Sequence, residues 1–130
     1  MIDKEFFARL NALNDKFAAS VPETLARLRA QRQAVDPAAT SGGPIRAIQE
    51  TLHTIAGSAA TFGFRAFGQQ ARALEQRLRV LLAFETVAPA DWMRWLESLD
   101  DYIAWAEIDP KAEQYLDPDR GSERGGAQDE

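Results

Sequence analysis

The sequence predicts an all-α fold, an antiparallel four-helix bundle with an additional N-terminal helix. Three observations carry that prediction. Apolar residues recur at alternating spacings of four and three through five segments, the period of one face of a helix. The third and fourth segments are joined by a very short connection, which makes them antiparallel neighbours. At 130 residues and 45% apolar, the chain suits one globular domain with its own core.

Phe6, Leu10, Leu13 and Phe17 form the stripe of a first helix. The pattern restarts at Ser20-Val21-Pro22-Glu23, where a serine cap, a proline in the first turn and a glutamate three residues after the serine resemble a capping box. Val21, Leu25, Leu28 and Val35 are the stripe of that second helix. DPAATSGGP, from Asp36 to Pro44, is a loop by every local signal, and Pro44 suits the first position of the next helix.

The third helix uses Ile48, Leu52, Ile55, Ala59 and Phe62, and Gly63 ends it. A fourth follows at once on Phe67, Ala71, Leu74, Leu78 and Leu81. The fifth opens near Pro89 and carries Trp92, Trp95, Leu96, Leu99, Tyr102, Ile103 and Ala106, the tryptophans reading as core anchors. Past Asp109-Pro110 the periodicity stops. The expected organisation is a bundle domain over residues 1–108 and a flexible acidic tail or linker over 109–130, which contains GSERGG.

Charge and composition exclude several function classes. The chain carries a net charge of −5, and the tail's seven acids and three bases account for most of it. Overall acidity argues against a nucleic-acid partner. No apolar run approaches the length of a membrane span, and the amphipathic, acid-bearing N-terminus is unlike a secretory signal. With no cysteine and a single histidine, thiolate catalysis, disulfides, zinc–sulfur sites and multi-histidine metal sites are out, and a cytoplasmic protein is expected.

That histidine lies in LHTIAGSAATFGF, residues 52–64. At about 100° per residue, His53 points roughly 140° from the third helix's apolar centre and Gly57 roughly 180° from it. Its neighbours on that face, within two turns, are Gln49, Ala56, Gly57 and Ala60, all small but the glutamine. A glycine inside a helix costs about 1 kcal/mol against alanine, so a bare surface around the imidazole reads as a landing site for another molecule.

Gly68, Arg72, Glu75 and Arg79 form a matching stripe on the fourth helix, which a short hairpin would bring alongside His53. A carboxylate on one ring nitrogen orients an imidazole and leaves the other lone pair outward, and arginines hold anionic phosphoryl groups. On wheel geometry alone the same residues also fit a solvated histidine and ordinary i,i+3 and i,i+4 surface pairs.

The segment resembles the signature of histidine-containing phosphotransfer (HPt) domains, H-x-L-K-G-x-A-x-x-x-G. His53, Gly57, Ala59 and Gly63 match, and Ile55 stands in for leucine. Thr61-Phe62-Gly63-Phe64 is most similar to the N-terminal HPt domain of chemotaxis-type histidine kinases. The resemblance implies a phosphocarrier without its own ATP site, consistent with the lack of a GxxxxGK[ST] loop. His53 would accept a phosphoryl group and exchange it with a receiver-domain aspartate, and Glu75 would orient the imidazole. Ala56 stands where the family has lysine, so Arg72, or Arg79, is expected to supply the missing cation. Gln49, Ala56, Gly57, Ala60 and Gly68 would meet the partner. The implied partners are a response-regulator receiver domain, which brings magnesium, and a histidine or hybrid kinase, with the domain itself a monomer. An alternative is the phosphoacceptor module of a larger chemotaxis-type histidine kinase.

Overall fold

The computed structural model describes residues 3–40 and 42–115. Four helices make the bundle: α1 (Lys4–Gln33), α2 (Gly43–Ser58), α3 (Arg65–Ala83) and α4 (Pro89–Ile108). No strand occurs among the described residues, only an isolated bridge between Asp36 and Ala39.

Every neighbouring pair runs antiparallel, as the cross-contacts show. Arg29 and Arg32 of α1 meet Glu107 and Asp100 of α4 in reverse order. Gln31 meets Thr51 of α2 while Phe17 stacks on Phe62 beyond that helix's end. Across α3 and α4, the Trp95 indole N–H donates to the Leu74 carbonyl at 3.0 Å and the Tyr102 hydroxyl to the Phe67 carbonyl at 2.8 Å. Both donors and both acceptors are seven residues apart, so the two bonds repeat every second turn and fix the register of the seam. The sequence-predicted stripes from Val21 onward form one core, with Leu28, Ile48, Leu52, Leu74, Leu78, Leu96 and Leu99 fully buried and Trp95 as an anchor. Of the first predicted stripe only Phe17 packs on it, and Phe6, Leu10 and Leu13 are exposed because no other helix among the described residues covers that end of α1.

One expected boundary is absent. The first and second predicted helices are a single α1 that carries Pro22 in its interior. The Ser20 hydroxyl does not cap a new helix; it donates back to the Phe17 carbonyl at 2.6 Å. Pro22 has no N–H for the carbonyl of Ala18, but Ala18 is exposed and water can serve it. Packing holds the helix together on both sides of the proline. Phe17 lies against Phe62 and Phe64, and Val21, Leu25 and Leu28 are buried. Asp3 supplies the true cap, accepting from the Phe6 N–H at 2.8 Å.

The loop before α2 forms as expected, with the Asp36 side chain accepting from the Ala38 N–H and Pro44 in the first turn of α2. At the C-terminal end, Tyr115 packs edge-on against Trp105 and the Lys111 ammonium sits 5.3 Å from the centre of the Phe64 ring. The packed unit therefore reaches beyond the expected boundary at 108. The rest of the expected acidic tail, from residue 116, lies outside the described residues.

Candidate functional site

α2 tightens into a 3₁₀ turn over Ala59–Phe62, and Gly63 closes it with φ +88°, a left-handed conformation that favours glycine. The Gly63 and Phe64 N–H groups bond back to the Ala60 and Ala59 carbonyls, and α3 starts at Arg65. The hairpin then closes tightly because its facing residues are small. A Cβ added to Gly68 would lie 3.1 Å from the Ala59 Cβ and 3.4 Å from the Ala60 backbone nitrogen.

That approach sets the geometry two turns along. Glu75 is buried in the α2–α3 seam, its side chain 7% exposed, while the His53 side chain facing it is 69% exposed. The imidazole Nδ1 lies 3.2 and 3.1 Å from the two Glu75 carboxylate oxygens. Arg79 donates from Nη2 to Glu75 Oε2 at 3.0 Å. A buried carboxylate is costly without donors, and here it has two. Because a carboxylate only accepts, Nδ1 must carry the hydrogen, and in the neutral ring the Nε2 lone pair is then directed away from Glu75.

The other sequence-predicted residues fall in three groups. Gly57 and Ala60 are exposed beside His53, and a Cβ at Gly57 would meet nothing within 4 Å. Gln49 and Ala56 are half-buried on the same helix, Ala56 packing partly on the core. Gly68 is corrected: it is buried against Ala59 and Ala60, so it holds the helices together and offers no surface to a partner. Arg72 is exposed, with no hydrogen bond or ion pair among the described residues. The register that sets His53 against Glu75 and Ala59 against Gly68 brings Arg72 level with Ala56 and Arg79 level with Gln49.

Sequence reasoning missed the Arg79–Glu75 bond as part of the site. Its signal is the i,i+4 spacing, which on its own also fits an ordinary surface pair. It also missed Ala59 and Ala60 as the surface that receives Gly68.

The model of the Hpt domain family matches residues 12–107, well over half of the chain. The chain belongs to the Hpt domain family. No curated protein and no solved structure matches it. As an Hpt domain it is a histidine phosphotransfer module of a phosphorelay, a phosphocarrier domain without its own ATP site that works with kinases and receiver domains. No helix among the described residues is long and apolar enough to cross a membrane.

Proposed function

We propose that His53 is the phosphoacceptor and that it exchanges its phosphoryl group with a receiver-domain aspartate. One observation carries this reading: the chain's single imidazole is held at Nδ1 by a buried carboxylate and presents Nε2 on a face left clear by Gly57 and Ala60. The Nε2 lone pair forms the N–P bond as the P–O bond to the donor aspartate breaks, its electron pair staying on the released carboxylate. The Nδ1 proton stays in place, so the ring becomes cationic, and Glu75 faces that charge. Reversal returns the group to an aspartate. Phosphoryl transfer depends mainly on positioning and charge stabilisation, which a small helical surface can provide for one side. The other side, including magnesium, belongs to the receiver.

Arg72, level with Ala56 and unpaired among the described residues, is the cation we assign to the phosphoryl oxygens in place of the family's lysine. The second reading, a phosphoacceptor module of a larger chemotaxis-type kinase, uses the same atoms with an ATP-loaded kinase domain as donor. It is motivated by Thr61-Phe62-Gly63-Phe64, although Phe62 and Phe64 also pack on Phe17. Phosphotransfer profiling against kinases and receivers of one genome separates the two.

The decisive test is His53→Gln. The side chain is exposed, so the variant is expected to keep its helical circular dichroism while losing acid-labile phosphate incorporation altogether. Incorporation that persists in a folded His53→Gln protein rules out His53 as the acceptor.

A further inference from the structure

Arg79 was expected at the phosphoryl side of the site, yet its guanidinium is committed to Glu75. The contact joins a largely exposed arginine to a carboxylate that is 7% exposed, at 3.0 Å and on the same oxygen that lies 3.1 Å from the imidazole. Two donors therefore share Glu75 Oε2, one cationic and one from a ring whose charge state matters to the chemistry.

We propose that Arg79 is a positioning residue: it balances and anchors the Glu75 carboxylate, so that the domain presents His53 as the neutral Nδ1–H tautomer with Nε2 free. This rests on His53 being the phosphoacceptor, but the arrangement of the ring can be measured without any phosphoryl transfer.

The argument is one of charge and geometry. The charged groups on the two helices that build this face are Arg46 and Glu50 on α2 and Arg65, Arg72, Glu75, Arg77 and Arg79 on α3, of which Arg77 donates to Ser98 on α4. Among these, Arg79 is the one that donates a hydrogen bond to Glu75. A buried carboxylate facing an imidazole alone has two ways to lower its cost. It can pull a proton onto the ring, which removes the Nε2 lone pair, or it can take up a proton and become a donor, which reverses the bond to Nδ1. Either outcome removes the nucleophilic form. A guanidinium already on the carboxylate makes neither necessary. It also restricts the carboxylate, since Oε2 is fixed from the Arg79 side and both oxygens stay within 3.2 Å of Nδ1.

This division assigns different work to the two arginines. Arg72 would act on the phosphoryl group, and Arg79 through Glu75 on the ring. The difference is testable because an indirect role vanishes when its intermediary is removed.

The first measurement is ¹⁵N NMR of the His53 ring in the unphosphorylated protein at pH 7. Wild type is expected to show the neutral Nδ1–H tautomer. Arg79→Gln should move the ring toward the imidazolium or a tautomer mixture, Arg79→Lys should restore most of the wild-type pattern, and Arg72→Gln should leave the pattern as it is. Arg79 is mostly exposed, so these variants should fold, and circular dichroism checks that they do.

The second measurement is a cycle of uptake rates with phosphoramidate, a small donor that loses ammonia as Nε2 takes the phosphoryl group. Arg79→Gln should slow uptake about tenfold in the wild-type background and by less than about twofold in a Glu75→Gln background. An equal loss in both backgrounds would show that Arg79 touches the phosphoryl group directly and would overturn the proposal, as would an unchanged ring spectrum in Arg79→Gln. A ring that responds to Arg79 in a protein whose His53 takes up no phosphoryl group would leave the positioning role standing and remove the phosphoacceptor reading instead.

Discussion

α3 has two seams, and they are built in opposite ways. Toward α4 it meets large side chains: Tyr102 stacks on Phe67 with ring centres 5.5 Å apart, and the buried Trp95 and Tyr102 each donate to a backbone carbonyl of α3. Toward α2, at the hairpin end, it meets small residues. Gly68 lies against Ala59 and Ala60, and Ala71 is fully buried one turn on. Large interlocking side chains seal the first seam at a fixed distance. Small ones let the second close until a carboxylate on α3 sits under an imidazole on α2. One seam holds the bundle together, and the other holds the proposed phosphoacceptor at its surface, so the contrast teaches where substitutions should change stability and where they should change chemistry.

The largest effect on that contrast should come from Gly68→Leu. A Cβ alone would already lie 3.1 Å from the Ala59 Cβ, so a leucine has no room unless the hairpin opens. Overpacking of this kind costs about 1–3 kcal/mol. Opening the seam should also draw Glu75 away from His53, so phosphoryl uptake should fall together with stability. Urea unfolding and uptake rate measured on one preparation check this. A Gly68→Leu protein of wild-type stability would show that the small-residue seam does not set the helix spacing.

A smaller effect belongs to the sealed side. Burial pushes the Tyr102 phenol well above its ordinary range, because an ionised phenolate would have to lose its water. Its folded value is raised, so its contribution is complete below the unfolded value of about 10 and is lost as pH rises above it. Between that point and the raised folded value, the unfolded chain binds fewer protons than the native one, and stability should fall by up to about 1.4 kcal/mol per pH unit from this group. Tyr102→Phe removes the titration along with one hydrogen bond, worth about 0.5–1.5 kcal/mol. The variant should therefore be slightly less stable at pH 8 and should lose the deficit as pH passes 10. Unfolding curves for both proteins from pH 8 to 11 measure it; parallel curves would mean that Tyr102 does not couple folding to pH.

These two seams were not equally legible in the sequence. The α3–α4 seam follows from periodicity, because Phe67, Leu74, Trp95 and Tyr102 lie on the buried stripes that spacing predicts. The α2–α3 seam does not. A helical wheel treats each helix alone, so it placed Gly68 and Glu75 together on a flank, and both are buried once the helices meet. How near two helices approach depends on the sizes of the residues at their crossing, which a wheel cannot pair. The break expected at Ser20-Val21-Pro22-Glu23 failed for a related reason. Local capping chemistry favours a new helix there, and the packing of Phe17 and Val21 before the proline and of Leu25 and Leu28 after it outweighs it. His53 was legible because its exposure and its glycine neighbour are properties of a single helix.

The smallest effect on stability is expected at the other glycine, and it sharpens the comparison most. Gly57 lies on the outer face of α2, where an added Cβ meets nothing within 4 Å. Its φ is not positive, so alanine meets no backbone strain there. Helix propensity favours alanine over glycine by about 1 kcal/mol in a helix interior, and less near an end. Gly57 is the penultimate residue of α2, so Gly57→Ala should stabilise the fold by less than about 1 kcal/mol. Gly57→Gln should fold equally well, since its side chain enters solvent, yet it would stand one turn from His53 on the face a receiver must reach. Uptake from a small donor should be nearly unchanged in Gly57→Gln, while transfer to a receiver domain should fall sharply. A glycine kept for access predicts that split between small and large partners. If Gly57→Gln instead unfolds early, the outer face is under packing constraint after all, and if it transfers to a receiver at the wild-type rate, the partner does not land there.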